Sequence, residues 1–140
     1  WEEECDRAQK RRRGDLNLPP LLGIEQDPVV AEQARVNIAA AGLEGVIEIR
    51  EGSFTEHDLP DGPGVLVCNP PYGQRIGEEE ELDPLYSALG GYWRQQASGW
   101  QLWLLSGNPK LTGGLRMKAS RRIPISNGGI DCRWLHYSIR

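Results

Sequence analysis

Residues 21–52 read LLGIEQDPVVAEQARVNIAAAGLEGVIEIREG, and their pattern decides the fold. A short apolar run is followed by a stretch with helical spacing and then by a second apolar run, the signature of a β-α-β unit. Asp27 stands where an N-cap belongs and Pro28 at the first helical position. Val30, Ala34, Ile38 and Ala41 recur at helical spacing, and Gly42 marks the stop. Val46–Ile49 is expected to form the second strand. A polar loop with His57, Pro60, Gly62, Pro63 and Gly64 then leads to a third strand, Val65–Cys68.

Further along, the acidic run Glu78–Glu81 reads as a solvated loop or helix start, and a helix of about four turns is expected from Asp83 towards Ala97. Trp100–Ser106 is apolar at both alternating sets of positions, as befits a strand covered on two sides. Two helical turns follow Pro109. The last segment, MKASRRIPISNGGIDCRWLHYSI, has two β-rich runs flanking Asn127-Gly128-Gly129, a hairpin signal. In the other direction, residues 1–14 read as a charged helix whose basic end, Lys10–Arg13, complements the helix dipole. The order implies a doubly wound, mainly parallel sheet with one reversed strand near its edge. Ligands of such sheets lie beyond the carboxyl ends of the strands.

Composition sets outer bounds. A chain of 140 residues with about 39% hydrophobic residues and five tryptophans can build one core. The absence of a long apolar stretch or signal peptide points to a soluble, cytoplasmic protein with no membrane partner. Cys5, Cys68 and Cys132 are odd in number and lack C-x-x-C spacing, which argues against a disulfide framework and a zinc site. His57 and His136 belong to no metal-like cluster, so no metal is expected. A net charge of −4 excludes nucleic-acid binding by counterion release from the chain as a whole. The chain opens at Trp1, within what reads as a helix, and is expected to be a fragment of a longer one.

The third strand runs into Asn69-Pro70-Pro71-Tyr72-Gly73. Neither proline has a backbone N–H, and both fix φ near −65°, so the segment is stiff and rich in acceptors. That suits a planar amine, a poor nucleophile because its lone pair is delocalised. If Asn69 Oδ1 and the Pro70 carbonyl each accept one N–H, the amine is oriented and its lone pair can turn towards an electrophile. Preorganised groups of this kind are worth roughly 3–4 kcal/mol each, and holding the reactants in line roughly 7–11 more. Tyr72 then offers a ring on which a flipped-out base can stack, and Gly73 leaves room beside it.

With these residues in place, the chain resembles a known family. N-P-P-Y after a strand of a Rossmann-like class I fold is the mark of S-adenosylmethionine-dependent methyltransferases acting on planar amino groups. NPPYGQRIG, GIEQDPVVAEQARVNIAAAG and the closing NGGIDC are similar to RNA guanine-N2-methyltransferases, above all the bacterial large-subunit ribosomal RNA enzymes with an upstream THUMP RNA-binding domain. The resemblance implies S-adenosylmethionine as cofactor and ribosomal RNA as substrate. It puts Glu25 on the cofactor ribose, Gln26 beside its adenine, Ser53 where the family usually has an acid for the adenine amine, and Phe54 against the purine. Asn69 would border the cofactor as well as the amine, and Pro70, Pro71 and Tyr72 complete the catalytic set. Tyr72, Gly73 and Arg75 would meet the substrate, Arg75 through a phosphate. Asp27 is expected to be a helix cap rather than a ligand.

One family element has no counterpart. Nothing before Leu21 matches the first strand and its glycine-rich turn, which lies between the second and fourth strands of the family's sheet. Residues 21–140 would therefore run from the second strand to the hairpin. The sheet would be split, its edges open to self-association, and the fragment alone weak in cofactor binding and inactive. Methylation of adenine N6 or of a release-factor glutamine amide stays open as an alternative, as does a non-catalytic scaffold.

Overall fold

In the computed structural model, residues 1–11, 18–73 and 78–140 are described. Asp27 caps a helix as its sequence context requires: its carboxylate accepts the N–H groups of Val29 at 2.8 Å and Val30 at 3.3 Å. The capped helix, α2 (Pro28–Ala40), links strands β1 (Leu21–Glu25) and β2 (Ile47–Glu51), which pair in parallel from Leu21↔Ile47 to Glu25↔Glu51. The β-α-β reading holds, with β2 starting one residue later than expected. Ala31 is the buried residue of α2, whereas Val30 is 44% exposed and Ala34 and Ile38 are partly exposed.

The chain divides into two compact units, Trp1–His57 and Asp58–Arg140. The first holds helix α1 (Glu2–Arg11), with acids in its first turn and Lys10 and Arg11 in its last, followed by β1, α2 and β2. Arg12, Arg13 and Gly14 lie outside the described residues. Arg35 of α2 is fastened to β2 through Glu51 at 2.7 Å and the Ile49 carbonyl at 3.3 Å.

The second unit contains β3 (Val65–Cys68), α3 (Glu78–Gln96), β4 (Gln101–Ser106), α4 (Pro109–Gly113), β5 (Arg121–Asn127) and β6 (Ile130–Ser138). Its sheet order is β3-β4-β6-β5, parallel between β3 and β4 and antiparallel at β4/β6 and β5/β6. The reversed strand, β6, sits one place in from the edge, as the sequence implies. Gly128 and Gly129, at φ 58° and 83°, make the hairpin turn in a conformation that only residues without a Cβ adopt readily. β1 and β3, which the resemblance sets on either side of a central strand, belong to different sheets.

The core of this unit lies between α3, α4 and the sheet. Tyr86, Leu89, Trp93 and Ala97 recur at helical spacing and are buried, together with Leu102 and Leu104 of β4, Leu111 of α4, and Leu135 and Tyr137 of β6. Helix α3 starts at Glu78 rather than Asp83, and α4 is shorter than two turns. Asp83-Pro84 reads as a cap and first position, but the acidic run ahead of it favours a helix N-terminus through the dipole. Pro84 then lies inside the helix, past its first turn, where it leaves one intrahelical hydrogen bond unmade. Among the described residues no helix is long and apolar enough to cross a membrane.

Candidate active site

β3 ends at Cys68, and the residues after it leave the sheet because prolines cannot extend a ladder. Asn69 is exposed, Pro70 is buried and Tyr72 is half-buried, while Gly73 takes φ 57°. Three side chains distant in sequence fasten this segment. The Tyr86 hydroxyl on α3 donates to the Pro71 carbonyl at 3.0 Å. Asn108 Nδ2 donates to the Tyr72 carbonyl at 3.4 Å, and Asn127 Nδ2 at the end of β5 donates to the Tyr72 hydroxyl at 3.1 Å. The Tyr72 ring also lies against Gly107: a Cβ there would be 3.0 Å from Tyr72 Cδ2.

Each anchor is itself held. Tyr86 is fully buried, and burial, helped by the neighbouring Cys68, pushes its phenol up to about 12. It therefore remains a proton donor throughout the neutral range. Asn108 caps α4 by accepting the Lys110 and Leu111 N–H groups at 3.0 and 3.3 Å through Oδ1, which leaves its amide nitrogen to reach Tyr72. Ser106 Oγ accepts the Asn108 N–H at 3.1 Å and fixes the turn. The Cys68 thiol, at the strand end, is pushed up to about 11 by burial, so it is a protonated packing group and no nucleophile at neutral pH.

The Pro71 carbonyl is thus engaged within the protein. Tyr86, Asn108 and Asn127 were not among the sequence candidates. Asn108-Pro109 and Asn127-Gly128 carry cap and turn signals, but nothing local ties either asparagine to Tyr72. Arg75 lies outside the described residues.

The remaining candidates are in the first unit. Glu25, half-buried at the end of β1, accepts the Asp27 N–H at 2.9 Å through Oε1. Gln26 is exposed. Ser53 opens a 3-10 turn, Phe54–Glu56, as its N-cap. Its Oγ lies 2.9 Å from Thr55 Oγ1 and accepts the Thr55 N–H, while Glu56 Oε2 accepts the Ser53 N–H at 3.1 Å. The hydroxyl is therefore committed locally. Phe54 is partly exposed. Both histidines have structural partners: His57 Nε2 lies 2.9 Å from the Glu51 carbonyl, and His136 Nδ1 lies 2.6 Å from Ser120 Oγ. Among the described residues no cluster of three or more His, Cys, Asp or Glu could hold a metal.

The strand order with its reversed penultimate strand and the Asn-Pro-Pro-Tyr turn at a parallel strand's end define a class I methyltransferase fold. The SMU.472 protein crystallised with SAH superposes with a TM-score of 0.86 at 23% identity, covering 99% of this chain and 36% of that one. The chain belongs to the RMKL-like methyltransferase domain family, whose profile matches residues 1–136. It is similar to the ribosomal RNA large subunit methyltransferase K/L of Marinomonas sp. strain MWYL1, 38% identical over 137 residues, which are 95% of this chain and 19% of that protein. It is likewise similar to slr0064 of Synechocystis sp., 36% identical over 139 residues, 99% of this chain and 36% of that protein. The chain thus spans about a fifth to about a third of the length of these relatives.

Proposed function

We propose that the chain forms part of an enzyme that methylates the exocyclic N2 amine of guanine in large-subunit ribosomal RNA. The observation that carries this reading is the anchoring of Asn69-Pro70-Pro71-Tyr72 from three separate elements, which presents acceptors in a fixed arrangement. Pinning the Pro71 carbonyl through Tyr86, and Tyr72 through Asn108 and Asn127, spares the site a reorganisation cost when an amine arrives. The names of the relatives supply the substrate class.

S-adenosylmethionine, when bound, supplies an electrophilic methyl group on a sulfonium sulfur. The chain fits that cofactor in part. Glu25 has a second carboxylate oxygen besides the one on the Asp27 N–H, and carboxylates suit ribose hydroxyls. Ser53, bound into its capping box, fits the adenine amine poorly, which leaves Gln26 and Phe54 for that end. Asn69 Oδ1 and the Pro70 carbonyl hold the two N–H bonds of the guanine amine, and Tyr72 supports the base. The segment itself, Asn69-Pro70-Pro71-Tyr72, offers no evident general base, so the surplus proton goes to solvent after transfer. The same proposal assigns residues 21–140 to the stretch from second strand to hairpin. The glycine-turn strand and an RNA-binding domain belong to sequence outside these 140 residues, which the greater length of the relatives accommodates.

The test is transfer of labelled methyl from S-adenosylmethionine to unmodified large-subunit ribosomal RNA by the full-length protein, followed by digestion to nucleosides. N2-methylguanosine is expected. Label in N6-methyladenosine, or label in a protein amide with none in RNA, would refute the guanine assignment.

A further inference from the structure

Residues 107–140 hold seven of the sixteen Lys and Arg of the chain and one of its twenty Asp and Glu, although the net charge is −4. Positive charge is therefore concentrated on the β5–β6 hairpin and the segment before it, an asymmetry typical of chains that meet a polyanion. Strand pairing sorts part of it onto one face. Arg133 sits opposite Ser106 on one side and Pro124 on the other, and Arg122 sits opposite Leu135. Alternation along the strands puts Arg122 and Arg133 on the same face as Ser106.

Two adjoining hollows lie there. One, of about 300 Å³, is lined by Ser106, Thr112, Met117, Arg122, Arg133 and Tyr137, among others. The other, of about 660 Å³, includes Gly107, Ser126, Asp131 and Arg133, and shares Ser106 and Pro109 with the first. Gly107 is the residue against which the Tyr72 ring lies, so the hollows lead from Tyr72 towards Arg122. Both arginines are exposed, and among the described residues neither belongs to a salt bridge. Arg122 donates to the Ala119 carbonyl at 3.5 Å. Burial pushes the Tyr137 phenol up while the charge of Arg122 opposes the rise, which puts that guanidinium within electrostatic reach of the hollow's floor. Asp131 is the single acid in either lining.

We infer that this face is a track for the RNA strand, with Arg122 and Arg133 each neutralising one phosphate beside the nucleotide that Tyr72 supports. The inference rests on the RNA-methyltransferase reading of Tyr72 and adds the residues that grip the flanking backbone. Guanidinium forks suit phosphate oxygens, and an apolar floor of Met117, Leu135 and Tyr137 gives a sugar or base a surface to lie on. Two local phosphate contacts also resolve how a chain of net negative charge holds a polyanion.

The experiment measures fluorescence anisotropy of a short labelled single-stranded RNA with the full-length protein, from about 50 to about 200 mM KCl. Each phosphate contact on a single strand contributes about 0.7 to the slope of log affinity against log salt, so Arg122→Gln with Arg133→Gln is expected to lower it by about 1.4. Arg122→Lys with Arg133→Lys is expected to keep the slope, and far-UV circular dichroism checks that all variants fold. Equal slopes in the wild type and the double Gln variant overturn the inference, as does an equal loss in the Lys pair. Wild-type binding without salt dependence overturns it too. Methyl transfer measured on the same preparations separates the two readings: transfer to RNA with no change of slope removes the track and leaves the catalytic assignment standing.

Discussion

Gly90 and Gly91 are neighbours on α3, yet replacing each with alanine should move stability in opposite directions. A Cβ at Gly90 would meet the Leu115 carbonyl oxygen inside contact distance, with the Leu115 Cα at 2.7 Å and carbonyl carbon at 2.8 Å. These are backbone atoms, which cannot swing aside as a side-chain tip would, and Leu115 is itself fully buried. Forced overpacking of this kind costs about 1–3 kcal/mol, and the gain of about 1 kcal/mol in helix propensity offsets only part of it at the upper end. At Gly91 nothing lies within 4 Å, so alanine brings the propensity gain alone. Gly90→Ala should therefore lower stability by up to about 2 kcal/mol net, the backbone clash placing the cost towards the upper end, and Gly91→Ala raise it by about 1. The gap between the two variants corresponds to roughly 10 °C in melting temperature for a unit of this size. Tryptophan emission is the assay, because Trp93, Trp100, Trp103 and Trp134 all report on the Asp58–Arg140 unit. If Gly90→Ala melts at or above Gly91→Ala, the close packing of α3 on the segment after α4 is wrong.

Amide exchange should separate the two units. The β1/β2 pair is only two strands wide and, among the described residues, its unit has Ala31 as its one buried hydrophobic residue, whereas β4 is paired on both sides and mostly buried. Mass-spectrometric exchange should find β1 and β2 less protected than β4 and β6, and equal protection would contradict this. Stability should also fall on the alkaline side. Cys68 and Tyr86 are pushed by burial to about 11 and about 12 from ordinary values of 9.0 and 10.0. Both are neutral in folded and unfolded chain below pH 9; above it the unfolded chain releases protons that the folded one holds, so stability drops through about pH 11 and then about pH 12. Urea midpoints at successive pH values measure the fall, and Cys68→Ala should delay its onset. A profile unchanged by Cys68→Ala would show that the thiol is not held in a low-dielectric site.

What the sequence made legible was local. Val65–Cys68 came out with its observed ends because a glycine precedes it and two prolines follow Asn69, and the hairpin turn was marked by Gly128-Gly129. The start of α3 was misplaced because Asp83-Pro84 imitates a helix start, while the real start depends on a run of acids that reads equally well as loop. Spacing also marks α2 as a helix, but periodicity names a face without saying which of its residues lies deepest, and that residue is Ala31. The site divides in the same way. The Asn-Pro-Pro-Tyr segment is written in adjacent residues, but Tyr86, Asn108 and Asn127 reach it across 15, 36 and 55 positions. Such contacts exist only once β4, α4 and the hairpin have been brought together, so no spacing rule could announce them. At Ser53 the resemblance suggests a ligand of the adenine amine, and the fold also engages its hydroxyl in a capping box.

The most direct test is the turnover of Asn69→Ala in the full-length protein. Asn69 is exposed, so the variant should unfold at the wild-type urea concentration. If its side chain is one of two acceptors that orient the amine, methyl transfer to large-subunit ribosomal RNA should fall by about 10²–10³ in kcat, the loss typical of one preorganised polar group. Turnover at the wild-type rate from a folded Asn69→Ala protein would contradict the account.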